Sequence, residues 1–189
     1  MYFLCFYTCL VLCSIEHVIS IDETLKNKLL TDHNEFRRYI ALGKGGQVTA
    51  SNIREMSWDS DLESKAQDLA NKCTKNHDTY ADRRTTKFYM VGQNICLNSN
   101  VNECTKMWFD EKSSFTFPMT CSSTCGHYTQ VIWATTYKIG CGYAVCNGFN
   151  ILVCNYGPAG NEQGNDPYIE GYPGADCPPG TTKNNGLCT

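Results

Sequence analysis

Three histidines follow residue 20 of the chain, and their imidazoles are the side chains best suited to bind a metal ion or transfer a proton near neutral pH. They are His33, His77 and His127. His127 lies in residues 125–133 (CGHYTQVIW), where apolar residues recur at the spacing of a short, half-buried helix. One side of this histidine is therefore expected to be buried and the other open. By spacing alone, each of the three is more often a core residue with satisfied hydrogen bonds than a ligand.

Two helices are predicted before His77. The first covers residues 21–42, because large apolar residues recur there at three-to-four spacing and three glycines follow. The second begins at Trp58, where Ser60 and Glu63 have the spacing of a capping box. Its inner face is predicted to carry Leu62, Ala66, Leu69, Ala70 and Cys73.

Beyond His77 the chain is predicted to combine short strands with helical segments. A strand is expected over residues 91–97, a third helix over 101–113 and a loop over 114–124, directly before His127. The dipeptide Asn147-Gly148 lies between two apolar runs, which predicts a β-hairpin. Helices interspersed with short strands, without regular strand–helix–strand units, place the chain in the α+β class.

Composition indicates a secreted, disulfide-bonded protein. The chain has 189 residues and a net charge of −3, and it contains no basic run, which argues against nucleic acid as a partner. Residues 1–20 are predicted to be a secretory signal peptide, too short to span a bilayer, so no transmembrane segment is expected. Its removal takes three of the 13 cysteines and leaves ten, an even number typical of disulfides in an extracellular protein. Residues 162–189 form a Gly-, Pro- and Asn-rich extension that only Cys177 and Cys188 are expected to tie down.

Two motifs resemble the signatures of one family. Residues 126–133 (GHYTQVIW) and 153–161 (VCNYGPAGN) are similar to motifs of the CAP superfamily of cysteine-rich secretory, antigen 5 and pathogenesis-related (SCP/TAPS) proteins. The resemblance covers about residues 25–161. It implies a CAP domain over residues 21–161, an α-β-α sandwich with three to four helices packed on a central antiparallel sheet. The ten remaining cysteines and the motif wording look like a secreted venom allergen-like protein of a parasitic flatworm, of the schistosome type.

The resemblance also implies a disulfide framework. Matching positions in the family pair Cys73 with Cys146, Cys121 with Cys125 and Cys141 with Cys154. Four cysteines then remain, and proximity suggests Cys96 with Cys104 and Cys177 with Cys188, although sequence alone leaves their pairing open.

The same family places two histidines and two acidic residues around a central cleft. The pattern maps onto His77, Gln93, Glu111 and His127, but the family's Gly-Glu-Asn motif here reads Gly92-Gln93-Asn94. The amide can still hydrogen-bond an imidazole, yet it adds no negative charge around a metal. We therefore expect a weak site for Zn²⁺ or another divalent cation at His77 and His127, with Gln93 and Glu111 supporting the rings.

Catalysis is not expected at this cleft. A serine–histidine–glutamate hydrolase has been suggested for the family by analogy, and serines lie near Glu111 and His127 in the sequence. None of them is part of a Gly-x-Ser-x-Gly motif, and no spacing places a nucleophile against a base.

Two lipid sites are expected from the resemblance and from apolar residues. The loop of Phe115, Phe117, Pro118 and Met119 resembles a sterol-binding motif, and its alternating large residues would be hard to bury together. A fatty-acid channel between helices, known in some secreted relatives, would be lined by Leu29, His33, Phe36, Ile40, Val131 and Ile132. The alternative for these six positions is a filled core.

The sequence thus predicts a secreted, extracellular, non-enzymatic protein that binds and exports or sequesters lipids, sterols first and fatty acids second. One alternative is a host-interaction (immunomodulatory) protein that engages host extracellular proteins. A second is a hydrolase that uses the histidine and glutamate of the cleft.

Overall fold

A computed structural model describes residues 21–189, so the predicted signal peptide at residues 1–20 lies outside the described part. Five helices are present in this part: α1 (Glu23–Ala41), α2 (Ser60–Ala70), α3 (Tyr80–Arg83), α4 (Cys104–Asp110) and α5 (Gly126–Ile132). Among residues 21–189, no helix is long and apolar enough to cross a membrane.

Eight short or medium strands accompany the helices. They are β1 (Ser57–Trp58), β2 (Gly92–Leu97), β3 (Phe115–Thr116), β4 (Thr120–Cys121), β5 (Lys138–Cys146), β6 (Phe149–Gly157), β7 (Lys183–Asn184) and β8 (Leu187–Cys188). Three 3₁₀ turns lie at Lys44–Gly46, Val101–Glu103 and Glu111–Ser114. The predicted third helix is therefore α4 with a 3₁₀ turn at each end.

The central sheet has the order β1-β5-β6-β2. The predicted hairpin is present, since β5 and β6 pair antiparallel around Asn147-Gly148, and Gly148 takes the left-handed conformation (φ +86°) that such a turn requires. The sheet was expected to be antiparallel throughout, but β1 pairs parallel with β5, so the sheet is mixed. Trp58 is in this strand and does not open α2. A two-residue strand leaves no periodic signal in the sequence, which is why the assignment was wrong.

Helices cover both faces of the sheet. Successive residues of a strand point to opposite faces, and in β6 Leu152 and Cys154 pack with α1, α4 and α5, whereas Ile151 and Val153 pack with α2. This is the α-β-α sandwich that the sequence predicts.

Helix α2 begins one residue earlier than a Ser60 cap would place it. Its N-cap is Asp59, whose carboxylate accepts hydrogen bonds from the backbone N–H groups of Asp61 and Leu62. Glu63 does not complete the expected capping box but accepts a hydrogen bond from the Trp58 indole at 2.6 Å.

Arg37 joins α1 to the segment after α5. Its buried guanidinium donates to the carbonyl oxygens of Arg54 and Val131, at 2.8 and 2.9 Å. It also donates to those of Ala134 and Thr136, at 3.4 and 2.8 Å. Burial lowers the pKa of Arg37 to about 9.

The ten cysteines of the described residues form the five expected pairs: Cys73–Cys146, Cys96–Cys104, Cys121–Cys125, Cys141–Cys154 and Cys177–Cys188. The C-terminal extension is held by more than its disulfide. Cys188 exchanges backbone hydrogen bonds with Ile53 and Glu55, and Leu187 is fully buried. Residues 162–189 therefore pack against the sandwich.

Candidate functional site

The first histidine of the site is fixed by an amide. His77 follows α2, and its Nδ1 lies 2.7 Å from Oε1 of Gln93 on strand β2. The Gln93 Nε2 group donates to Oδ1 of Asp78 at 3.0 Å and to Oδ1 of Asn155 at 2.9 Å. Asp78 also accepts from Nη1 of Arg83 at 2.9 Å. A carboxylate that the sequence analysis did not consider is thus part of the site.

These contacts determine which nitrogen of His77 carries a proton. Because two oxygens accept from Nε2 of Gln93, Oε1 must face the imidazole and accept a hydrogen bond from it. Neutral His77 is therefore protonated at Nδ1, and its Nε2 keeps a free lone pair. The missed residue could have been suspected from its position directly after His77.

The second histidine is held by a carboxylate. Nδ1 of His127, near the start of α5, lies 2.6 Å from Oε1 of Glu111, and the backbone N–H of His127 donates to Oε2 of Glu111 at 2.9 Å. The ring stacks on Trp108 of α4, with centroids 6.2 Å apart. Glu111 thus fixes both the ring and the first turn of α5.

Strand β2 connects the His77–Gln93 pair to the helix that carries His127. The Asn94 side chain donates to the backbone carbonyl of His127 at 3.1 Å, so the residue after Gln93 holds the helix of the second histidine. At Gly92 a β-carbon would lie 2.0 Å from Oε1 of Gln130, so only glycine lets β2 approach α5 this closely.

The central cleft does not bring all four predicted residues together. Its volume is about 670 Å³, and its lining includes His77 and Gln93 but, within the described residues, neither His127 nor Glu111. Within residues 21–189, no three His, Cys, Asp or Glu side chains form a group that could hold a metal ion. The metal-binding side chains that line the cleft beside His77 are those of Asp78 and Glu162, and Asp78 is already paired with Arg83, so the cleft falls short of the three or four ligands zinc prefers.

Two serine hydroxyls near the site donate to backbone carbonyls. Ser113 Oγ donates to the carbonyl of Asp110 at 3.1 Å, and Ser122 Oγ donates to that of Ser114 at 3.3 Å. Among the described residues no serine hydroxyl is hydrogen-bonded to His77 or His127. The arrangement offers fixed imidazoles and no aligned nucleophile.

The predicted sterol loop is a short hairpin, and its large residues differ in exposure. Phe115 is buried against Tyr128, which corrects the expectation that this side chain would be open. Phe117 is half-buried and stacks on Tyr168 with centroids 5.0 Å apart. Pro118 and Met119 are exposed. The alternating spacing gave no sign of this, because a turn at residues 117–119 interrupts the strand.

Five of the six residues proposed for the fatty-acid channel are part of the core. Leu29, His33, Ile40, Val131 and Ile132 are fully buried. His33 bridges the carbonyl of Leu29 and the hydroxyl of Tyr156, and burial lowers its pKa to about 4. The filled-core alternative therefore holds at these five positions.

The sixth residue, Phe36, lines an apolar groove between α1 and α4. Phe36 stacks on Phe109 at a centroid distance of 4.1 Å, and Tyr39 meets Phe109 edge-on at 5.8 Å. The groove has a volume of about 450 Å³. Its rim is charged, with Lys28, Asp32, Glu35, Lys106 and Asp110 among its lining residues. Phe109 could not be assigned to this groove from the sequence, because α4 has only seven residues and its periodicity does not show which side is open.

Comparison with known sequences identifies a family and named relatives. The sequence family described as the CAP, cysteine-rich secretory protein family, matches residues 30–156. A salivary antigen-5 of Dipetalogaster maximus is 37% identical in an alignment that covers 90% of this chain and 76% of that protein. A cysteine-rich venom protein of Tityus serrulatus is also 37% identical, but the chain spans only 46% of its length.

Solved structures share the fold. The crystal structure of NaASP2 with Zn²⁺ superimposes with a TM-score of 0.79 at 30% identity, covering 89% of this chain and 97% of that one. The Schistosoma mansoni venom allergen-like protein 4 gives a TM-score of 0.73 at 28% identity, covering 83% and 100%. The relatives thus include saliva, venom and helminth proteins, so the similarity extends well beyond the schistosome type.

Proposed function

Because the chain belongs to the CAP, cysteine-rich secretory protein family, we propose that it is an extracellular protein that binds fatty acids and sterols and exports or sequesters them without chemical change. The observation that carries the proposal is the groove between α1 and α4. Relatives named from saliva and venom, together with five disulfides, support an extracellular location.

The groove has the composition of an acyl-chain site. Its floor consists of Phe36, Tyr39 and Phe109, and its volume of about 450 Å³ lies within the range of small-molecule sites. Aromatic rings already packed against one another cost little side-chain entropy when a chain binds on top of them. Each Å² of apolar surface that a fatty acid buries in the groove would contribute roughly 25 cal/mol to the binding free energy.

The rim carries two lysines that a carboxylate head group could contact, Lys28 and Lys106, among the four carboxylates of Asp32, Glu35, Glu103 and Asp110. Lys28 pairs with Asp32 at 2.6 Å, and Lys106 pairs with Asp110 on the exposed side of α4. Asp32 also accepts from Thr105 Oγ1 at 2.6 Å, so the more exposed Lys106–Asp110 pair is the one whose aspartate a ligand carboxylate would replace at the smaller cost.

The sterol part of the proposal is now limited to Phe117, Pro118 and Met119. Phe117 lines a second cavity of about 760 Å³, whose apolar wall also contains Trp133 and Tyr168. Met119 is 39% exposed, and its backbone N–H donates at 2.6 Å to Oδ1 of Asp166, which lines the cavity. A flat, rigid ligand could lie against the Phe117–Tyr168 stack.

A weak divalent-metal site at His77 and His127 remains part of the proposal. Both rings are fixed through Nδ1, which leaves Nε2 as the available nitrogen. A bound ion would supply only positive charge and a link between the His77–Gln93 pair and the His127–Glu111 pair.

The test uses a variant that fills the groove without disturbing the core. Asn102 is exposed on the groove rim, and we expect Asn102→Trp to weaken binding of cis-parinaric acid to secreted, oxidised protein about tenfold. Asn76→Trp adds the same side chain at another exposed position and should leave affinity unchanged. A wild-type protein that binds neither this probe nor cholesterol contradicts the proposal.

A further inference from the structure

A patch of large exposed side chains lies beside the central cleft and has no part in lipid binding. Tyr80, Tyr89 and Met90 are 55%, 75% and 45% exposed. All three lie within one short segment that begins at α3. Tyr80 and Met90 also line the cleft that contains His77. We call Tyr80, Arg84, Lys87, Tyr89 and Met90 the rim patch.

Hydrogen bonds of the buried Arg83 and the cap of α3 fix the backbone segment that carries Tyr80. Arg83 is buried and donates through Nε to the carbonyl of Val91 at 2.8 Å, and through Nη1 to the carbonyl and carboxylate of Asp78 at 2.6 and 2.9 Å. Its guanidinium lies 4.3 Å from the centre of the Tyr80 ring. Thr79 and Asp82 close the N-terminus of α3 with a capping box. A partner would therefore pay little to order these side chains.

Two cations of this surface are available to a partner, Arg84 and Lys87. Arg84 forms no salt bridge within residues 21–189, and its guanidinium lies 5.9 Å from the Tyr89 ring. Lys87 is 62% exposed, and its contact within the described residues is with Asp59 at 3.5 Å. Of the nearby carboxylates, Asp78 is paired with Arg83, whereas Asp82 is exposed and bonded to the Thr79 hydroxyl, which lowers its pKa and keeps its negative charge.

Tyrosine and arginine are the residue types that dominate binding energy at protein interfaces, and apolar area around them completes such a surface. Monomeric proteins seldom expose several large side chains together without use. We propose that the rim patch docks an acidic, extended polypeptide segment of another protein, with its carboxylates on Arg84 and Lys87 and its apolar side chains on Tyr89 and Met90.

The proposal commits to a polypeptide for a structural reason. Two residues of the patch, Tyr80 and Met90, line a cleft of about 670 Å³, so a chain lying across them can place one side chain into the cleft. The flat surface of an anionic membrane would touch the rim but could not use the cleft.

The test uses a fluorescently labelled random copolymer of glutamate and tyrosine as the probe and measures anisotropy at two salt concentrations. We expect Arg84→Glu and Tyr89→Ala each to weaken binding about tenfold, with wild-type affinity falling as salt is raised. The chain offers a matched control in Tyr172, which is 74% exposed with Lys183 Nζ 4.1 Å from its ring centre. Tyr172→Ala and Lys183→Glu should change affinity less than about twofold.

Three results would overturn the proposal: no copolymer binding by the wild type, equal binding by Arg84→Glu, or equal losses in the Tyr172 control. Binding to anionic phosphatidylserine vesicles that exceeds copolymer binding and also needs Arg84 would assign the patch to membranes instead. All four variants should retain cis-parinaric acid binding, so the outcome here is separate from that of the lipid proposal.

Discussion

Nε2 of His33 lies 2.8 Å from the hydroxyl of Tyr156, a residue 123 positions later in the chain. The carbonyl of Leu29, 2.7 Å from His33 Nδ1, can only accept a hydrogen bond, so Nδ1 carries a proton. Burial keeps the imidazole neutral, so Nε2 accepts from the Tyr156 hydroxyl, which in turn accepts from the Asn94 side chain at 3.2 Å. This chain of three hydrogen bonds joins α1 to β6 and β2 through the core.

The folded protein is therefore expected to lose stability as the pH is lowered, because folding keeps His33 unprotonated. Burial lowers the pKa of His33 in the folded protein to about 4, whereas the unfolded chain titrates near 6.5. Between these values only the unfolded state binds the proton, so acid favours unfolding, and the lost free energy reaches about 3 kcal/mol at the lower end. Urea unfolding at several pH values should show this slope, and His33→Gln should flatten it by about one proton.

A change at the exposed Asn76, which carries no titratable group, provides the control for this measurement. Asn76→Gln should keep the wild-type slope. If His33→Gln and wild type lose stability in parallel from pH 6.5 downwards, His33 is not the group responsible.

The first helix and the β-hairpin could be predicted from the sequence, whereas the tertiary contacts that define the site could not. The α1 pattern and the Asn147-Gly148 turn are local, so the helix and the hairpin follow from spacing. Three cysteine pairs followed from the family resemblance, and the other two, Cys96–Cys104 and Cys177–Cys188, from proximity in the sequence. Asp78 is part of the site because it accepts a hydrogen bond from Gln93, 15 positions later on β2, and Phe115 is buried because it packs on Tyr128, 13 positions later on α5. Each contact joins two different elements of the fold, which no local pattern records.

Arg37 is expected to be among the most sensitive positions for stability. Its guanidinium satisfies four backbone carbonyls in the core, and lysine cannot reach all of them with one ammonium group. Arg37→Lys should lower the free energy of unfolding by about 3 kcal/mol, measured by urea denaturation of the oxidised protein.

The neighbouring Arg38 makes a direct comparison possible. It is half-buried, and its one ion pair, to Glu55, has a distance of 3.4 Å. Arg38→Lys should change stability by less than about 1 kcal/mol. Equal effects at the two positions would show that the carbonyl contacts of Arg37 carry no special weight.

The loop at residues 115–119 should separate stability from sterol binding. Phe115→Ala removes a buried ring and should cost about 3 kcal/mol of stability, while sterol affinity of the folded fraction is retained. Met119→Ser alters an exposed side chain and should weaken cholesterol binding about threefold with stability unchanged. Binding of a fluorescent sterol and urea midpoints measure the two effects.

Met107, 47% exposed on α4, is the matched control for Met119. Met107→Ser should leave sterol affinity at the wild-type value. Sterol binding that survives the combined Phe117→Ala and Met119→Ser changes would remove this loop from the proposal.

Restoring a carboxylate at position 93 should strengthen zinc binding at a cost in stability. Gln93→Glu places a negative charge against Nδ1 of His77, and supporting groups of this kind change metal affinity by about tenfold. The same carboxylate would lie where Nε2 now donates to Asp78 and Asn155, so without metal two acidic groups face each other. We expect tighter zinc binding by calorimetry and a lower unfolding midpoint in the presence of a chelator.

Gln163→Glu adds the same charge at an exposed position of the same cleft and should alter zinc affinity less than about twofold. Equal affinities for wild type and Gln93→Glu would mean that the charge at position 93 does not govern metal binding.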